Sequence, residues 1–422
     1  MKTALEGLKI LDFTTLLPGP FATMNLADMG AEVLRVSTNT RTDLVDSMPP
    51  LIDAAGRSGA SVADQEAYGT AAVESSAMPS SGERGNYSAA AAQLGRNKRS
   101  ILLNLREAEA AEIVKKLIME YDVVIEQFRP GVMDKLGIGY ETLSVINPRL
   151  IYCSLTGYGH GNSMSDRAGH DINYLSLSGL SAYSGRRTEG PSLMGMQIAD
   201  VASGSANVVI AVLAAVIHRA GCGRGQFLDI SMTDGAIAFN AMWGAGYLVS
   251  GEAPEREGTL LNGGTLYDYY ETKDGRYVSF GGLEPKFWEA FCRVLGHEEW
   301  IPLTVSAGAE IKAEARRILK TRELAHWIEA FKGADACFEP VLELDEALNS
   351  RLAVEREMVV DVPAGDGRII KQIGSPYKFS ESPVRFTHIG RPPSIEETAA
   401  VLNELGYSHG EIERLSKNGV LR

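Results

Sequence analysis

The chain has 422 residues and carries 41 Lys and Arg against 54 Asp and Glu, a net charge of −13 at neutral pH. At about 150 residues per domain this length fits two or three domains, and 45% hydrophobic with 23% charged residues excludes a disordered chain. The acidic balance argues against a general nucleic-acid or membrane-surface binder, and the four dispersed cysteines, Cys153, Cys222, Cys292 and Cys337, argue against a disulfide framework or a structural zinc cluster.

No targeting signal is expected, and the longest apolar stretch, Val208 to Ile217, is too short to span a bilayer. A cytoplasmic protein is expected. The 44 glycines exceed the usual share of about 7%, so the fold needs backbone that turns tightly or lies close to other groups.

In chain order, Leu8 to Phe13 reads as a buried strand, Phe21 to Met29 as a helix stopped at Gly30, and Glu32 to Val36 as a second strand. A strand, helix, strand unit of this kind builds parallel sheets. The intervening turn, Thr-Thr-Leu-Leu-Pro-Gly-Pro, lacks the glycine fingerprint of dinucleotide-binding domains, so NAD and FAD are not expected. Residues from about 38 to 94, rich in Ser, Ala and Gly, read as an insertion, either a lid or a surface loop.

The alternation then resumes with strands at Ser100 to Leu105, Asp122 to Gln127 and Leu150 to Leu155, and a helix at Ala108 to Glu120. Short helices are expected near Val132 and Glu141, and longer ones at Asn173 to Ser181 and Val201 to His218. The last is apolar nearly all round and is expected to be buried. From 226 to 340 a hairpin (Leu266 to Thr272, Arg276 to Phe280) and the amphipathic helix Pro285 to Leu295 suggest a smaller α+β domain. The expected division is a large domain over 1–222, a small one over 226–340, and a C-terminal segment, 341–422, returning to the large one. That segment ends in helices near Ile395 to Leu405 and Gly410 to Lys417.

Four features carry potential chemistry. His170 and Asp171 are adjacent at a helix start, where an imidazole suited to moving protons meets a backbone that favours anions. On spacing alone, Asp171 as a helix cap and His170 as a surface residue is the favoured reading. Asp200, in apolar surroundings at the head of a helix, fits either a cap or a desolvated base. Glu284 precedes the helix at Pro285 and fits a cap. Arg35, Arg96, Lys98, Arg99 and Arg129 lie near strand ends, suiting phosphate recognition or a solvated surface.

Together the motifs resemble the family III CoA-transferase superfamily (CaiB/BaiF type), and within it the racemases. The resemblance rests on Leu17-Pro18-Gly19-Pro20-Phe21, Leu26-Ala27-Asp28-Met29-Gly30, Asn97-Lys98-Arg99-Ser100, Phe128-Arg129-Pro130-Gly131-Val132 and Asn147-Pro148-Arg149. It continues through Gly169-His170-Asp171-Ile172-Asn173-Tyr174, Asp200, Gly223-Arg224-Gly225, Leu261-Asn262-Gly263-Gly264, Leu283-Glu284-Pro285 and Asp335-Ala336-Cys337.

The resemblance implies an α/β fold, a Rossmann-like parallel-sheet large domain plus a smaller α+β domain, in an interlocked homodimer. It implies racemisation of 2-methyl-branched acyl-CoA thioesters, with His170 and Asp200 as the two proton-transfer groups, Asp171 as an adjacent carboxylate and Glu284 approaching from the small domain. Arg35, Lys98, Leu103, Arg129, Lys135, Gly157 and Tyr174 are the implied CoA-binding positions. No metal, NAD or FAD is expected beyond the CoA of the substrate. The competing expectation is a CoA-transferase in which Asp171 attacks an acyl-CoA to form an acyl-aspartyl anhydride. A CoA-ester-binding protein without chemistry is the third.

Overall fold

The computed structural model describes residues 2–40, 43–52, 87–303 and 308–422. The chain divides into two compact units, one of residues 1–174, 197–235 and 355–422, the other of 175–196 and 236–354. Part of the expected insertion, 53–86, lies outside the described residues.

The strands of the first unit begin with β1 (Lys9–Phe13), β2 (Glu32–Ser37), β3 (Leu51–Ile52), β4 (Tyr87–Ser88), β5 (Lys98–Leu102), β6 (Val123–Glu126), β7 (Ile151–Thr156) and β8 (Phe227–Ser231). β3 and β4 pair with each other, and the other six form a wholly parallel sheet in the order β5-β2-β1-β6-β7-β8. Among those six, this is the third-second-first-fourth-fifth-sixth order of doubly wound folds, and its direction reverses between β1 and β6. The central strands β1, β6 and β7 are buried almost throughout because both faces are covered. Leu11, Leu34, Ile101 and Val124 join Ile113, Val114 and Leu117 of helix Ala108–Leu117 in one cluster, completed by Val401, Leu402, Ile412 and Leu415 of the two C-terminal helices. Ile10, Val33 and Ile125 alternate with these and are fully buried, and helices Pro18–Asp28 and Ala206–Cys222 pack on strands and on each other.

Helix Pro18–Asp28 starts with Pro in its first turn, where a missing N–H costs nothing. It ends beside Gly30 at φ +102°, a conformation that favours glycine. Residues 355–422 return to this unit and fasten the β5 edge. Thr398 Oγ1 accepts the Leu102 N–H at 3.0 Å, and the Asn104 N–H donates to the Val420 carbonyl at 2.8 Å.

Two expectations are corrected. The stretch after 226 does not open the small domain: Phe227–Ser231 is the sixth strand of the large sheet, paired with β7. Its approach depends on Gly225, where a Cβ would lie 1.9 Å from the Leu150 carbonyl oxygen, a close packing that no periodicity announces. The apolar run near 201–218 is part of a continuous helical segment, Ala199–Cys222, buried on one face only. Val208, Val212 and Ala215 are buried, whereas Ile210 and Ile217 are 63% and 75% exposed. Among the described residues this is the one helix long and apolar enough to cross a membrane, by length and composition alone.

The second unit contains β9 (Asp268–Glu271), β10 (Tyr277–Phe280) and β11 (Phe338–Pro340) in an antiparallel sheet of order β11-β10-β9. The hairpin turn uses Gly275 at φ +76°. Helix Pro285–Leu295 lays Trp288, Phe291 and Cys292 against Phe280, Trp327 and Phe338. Burying such large side chains contributes about 1.5–3 kcal/mol each.

Candidate active site

The catalytic candidates of the first unit lie on two segments that follow β7. Gly157 leaves the strand with its carbonyl held by Thr233, whose N–H and Oγ1 donate at 3.0 and 2.7 Å. A Cβ at Gly157 would lie 2.5 Å from the Tyr174 ring, so only glycine lets the ring lie against the backbone. Tyr174 is buried, stands edge-on to Tyr158 at 5.2 Å, and donates its hydroxyl to the Gly169 carbonyl at 2.5 Å. Burial, followed by the Asp200 charge, pushes the Tyr174 phenol up to about 12, so it stays a donor at neutral pH. These contacts fold the 157–170 loop back on itself and deliver His170 to the start of helix Asp171–Ser178.

The helix is entered through His170 and Asn173. The His170 N–H donates to Asn173 Oδ1 at 3.0 Å, while the Asn173 N–H donates to the His170 carbonyl at 2.8 Å. His170 is exposed. Asp171, the first helical residue rather than its cap, accepts the Asp200 N–H through Oδ1 at 3.0 Å. Asp200 itself lies in a π-helical turn, Ala199–Ser205, the kind of local unwinding found at functional sites. The turn is tied to the helix beginning at Pro18, because Ser205 Oγ donates to the Pro18 carbonyl at 2.6 Å.

Electrostatics set the Asp200 carboxyl apart from an ordinary aspartate. Burial pushes Asp200 up to about 6, the Asp171 charge adds to the rise, and His170 opposes it. Asp200 thus holds or releases a proton near neutral pH. The structure therefore brings His170, Asp171 and Asp200 together. Glu284 belongs to the second unit, where it precedes Pro285 in extended conformation, makes no side-chain capping bond, and is exposed.

The expected CoA-binding cations divide sharply. Lys98 is buried: its ammonium donates to Thr23 Oγ1 at 2.6 Å and the Pro20 carbonyl at 3.0 Å, and meets Asp12 at 3.2 Å. Burial brings its pKa down to about 8 and Asp12 opposes the fall. Its charge is occupied inside the fold because Asp12, at the end of β1, needs a counter-ion. Arg35 is mostly covered and paired with Asp43 at 3.2 Å and Asp46 at 3.7 Å. Leu103 is a core residue, 1% exposed. Arg129 and Lys135 are exposed on the segment after β6 and have no carboxylate partner among the described residues. Gln127, at the same sheet reversal, accepts the Gly19 N–H at 3.2 Å.

Several residues at this end of the sheet escaped sequence reasoning. Asn173 gave no signal beyond its motif, and Tyr158 gave none. Glu126 did give one: a carboxylate within the apolar run Val123–Glu126 is unusual in a buried strand.

An open parallel sheet with its candidate acid and base groups on segments following a strand's carboxyl end defines an α/β enzyme of the doubly wound class. Within that class the chain belongs to CoA-transferase family III, whose model matches residues 5–397. It is 32% identical to the α-methylacyl-CoA racemase of Mus musculus, over 99% of this chain and 97% of the relative. It is 31% identical to the succinate–glutarate CoA-transferase of Agrobacterium fabrum, over 96% of each. The crystal structure of a CaiB/BaiF family protein from Brucella suis superposes with a TM-score of 0.79 at 27% identity, covering 96% of this chain and all of that one.

Proposed function

We propose that this protein racemises 2-methyl-branched acyl-CoA thioesters, with His170 and Asp200 as bases on opposite faces of an enolate. The observation that carries the reading is the placement of two proton-carrying groups of different chemistry beside one another, the exposed imidazole of His170 and the half-buried carboxyl of Asp200, pushed up to about 6. One takes the α-proton and the other returns it to the opposite face, so configuration inverts without a redox step. The negative charge that develops on the thioester oxygen is met by backbone N–H groups at the start of helix Asp171–Ser178. Arg129 and Lys135 hold the CoA phosphates, joined by Arg35 when Asp43 and Asp46 release it. Gly157 and Tyr174 shape the wall. Glu284 is proposed as a further acid group, and the working form as a cytoplasmic homodimer, supported by apolar residues left exposed in each unit, Ile210 and Ile217 in the first, Leu248 and Val249 in the second.

The test is to follow a single enantiomer of a 2-methylacyl-CoA by chiral separation. Conversion to the other enantiomer is expected, and its complete retention would overturn the proposal.

A second reading has its own support, since transferase relatives match this chain about as well as racemases do. In it an aspartate attacks the acyl-CoA carbonyl, the CoA thiolate leaves, and an acyl-aspartyl anhydride forms. Asp171 is the proposed nucleophile. Hydroxylamine trapping during turnover, with mapping of the modified residue, reports on this reading. Modification of Asp171 supports a transferase, and its absence argues against it.

A further inference from the structure

Outside the His170 and Asp200 site, β6, β7 and β8 place Glu126, Ser154 and Asp229 in register across three neighbouring strands. Residues opposite one another in this way share a face of the sheet. Glu126 is 4% exposed and Ser154 is fully buried. Glu126 accepts the Phe128 N–H through Oε2 at 2.7 Å, and the Ser154 hydroxyl, in register beside it, holds the proton affinity of its carboxyl down. On the other side, Ser154 Oγ lies 2.8 Å from Nε2 of His160. His160 is seated by its own N–H, which donates to Asp229 Oδ2 at 3.0 Å, and by an edge-on contact with Phe227 at 5.3 Å.

A hydroxyl set between a carboxyl in register with it and an imidazole allows two arrangements. With Glu126 ionised, Ser154 donates to the carboxylate and accepts from His160, which must then carry its hydrogen on Nε2. With Glu126 protonated, the carboxyl donates to Ser154, the hydroxyl turns toward His160, and the imidazole must carry its hydrogen on Nδ1. The second arrangement holds one more proton than the first, taken from solvent.

We propose that Glu126, Ser154 and His160 act as one proton-exchanging unit, in which the protonation of Glu126 sets the tautomer of His160. The consequence lies in the chain itself. His160 anchors the 157–170 loop to the sheet ten residues before His170, so it is a positioning residue for that loop. The order of groups rules out a nucleophilic triad, because the carboxyl stands beside the serine in register rather than on the far side of the imidazole.

The surroundings place the exchange near neutrality. Burial pushes Glu126 up to about 7; Ser154 and the Phe128 N–H oppose the rise and Asp134 adds to it. A cavity of about 180 Å³ adjoins the cluster and gives protons a route. The charged and titratable groups that line it are Arg129 and Asp134 from the segment after β6, Tyr140 and Glu141 from the next helix, and Tyr152 from β7. From β1, the residue in register with Glu126 is the apolar Phe13.

The experiment is a titration of the His160 ring nitrogen shifts across the neutral range, with the Glu126 carboxyl carbon shift followed in the same wild-type sample. The expected result is a switch of hydrogen from Nε2 to Nδ1 on acidification, with one midpoint shared by the imidazole and the carboxyl. Ser154→Ala should separate the two midpoints, and Glu126→Gln should remove the tautomer change. Passage of His160 directly to the doubly protonated imidazolium, or an unaltered His160 titration in both variants, would overturn the proposal. The readout requires no substrate, so failure of the racemase reading leaves it intact.

Discussion

Asp171 accepts the backbone N–H of Asp200 through Oδ1 at 3.0 Å, so a carboxylate that secures the π-helical turn also raises the proton affinity of the acid carried on it. Asp171→Asn keeps an acceptor oxygen at this position and removes the charge. The acidic limb of a pH–rate profile for α-proton exchange should therefore move to lower pH, by up to about one unit. Because burial is the larger cause, the Asp200 carboxyl should remain above the ordinary aspartate range. A limb that stays in place would show that Asp171 acts on Asp200 only through its hydrogen bond.

The same carboxyl makes a prediction about stability. Its folded pKa, about 6, lies above its ordinary value of 3.8. The folded state therefore binds this proton more tightly than the unfolded chain, and the resulting stabilisation, complete below the ordinary value, is lost as pH rises through 6. Asp200→Asn removes the charge that burial disfavours. Its melting temperature should rise relative to wild type more at alkaline than at acidic pH, while activity is lost. Calorimetry at the two extremes checks the sign.

Gly157→Ala would place a methyl group 2.5 Å from the Tyr174 ring. The ring has to move, and with it the loop that delivers His170. A stability loss of about 1–3 kcal/mol is expected from overpacking, with activity falling about a hundredfold from misplacement of the reacting groups. Tyr174→Phe, which removes the bond to the Gly169 carbonyl but keeps the ring, should cost only about 1 kcal/mol. Denaturant melts of both variants test the ranking.

Arg35 is neutralised within the chain by Asp43 and Asp46. If CoA phosphates compete for it, Asp46→Ala should tighten CoA binding severalfold, and Arg35→Ala should weaken it and lessen its salt dependence. Asp46 is the cleaner variant, because Asp43 also accepts the N–H groups of Leu16 and Val45. Calorimetric titration with CoA at two ionic strengths measures both effects.

Local patterns announced much of this fold. The strand runs that became β1, β2, β6 and β7, and the helix Pro285–Leu295, are written in apolar periodicity and punctuation. β8 was hidden because its place depends on Gly225 lying against the Leu150 carbonyl, a contact between segments far apart in sequence. The candidate site was legible to the same degree. His170, Asp171 and Asp200 stand out as a motif and as a carboxyl in an apolar run. The burial of Lys98 against Asp12, and the alignment of Glu126 with Ser154 beside His160, arise from packing and strand register, which no linear spacing reveals.

The most direct measurement is deuterium wash-in: a single enantiomer of a 2-methylacyl-CoA is incubated with the protein in heavy water and followed by mass and by chirality. Two dissimilar bases predict incorporation of one deuterium at the α-carbon together with loss of optical purity, both abolished by His170→Ala with Asp200→Ala. Recovery of the substrate with neither deuterium nor inversion would contradict the assignment, and full activity in Asp200→Ala would remove the second base.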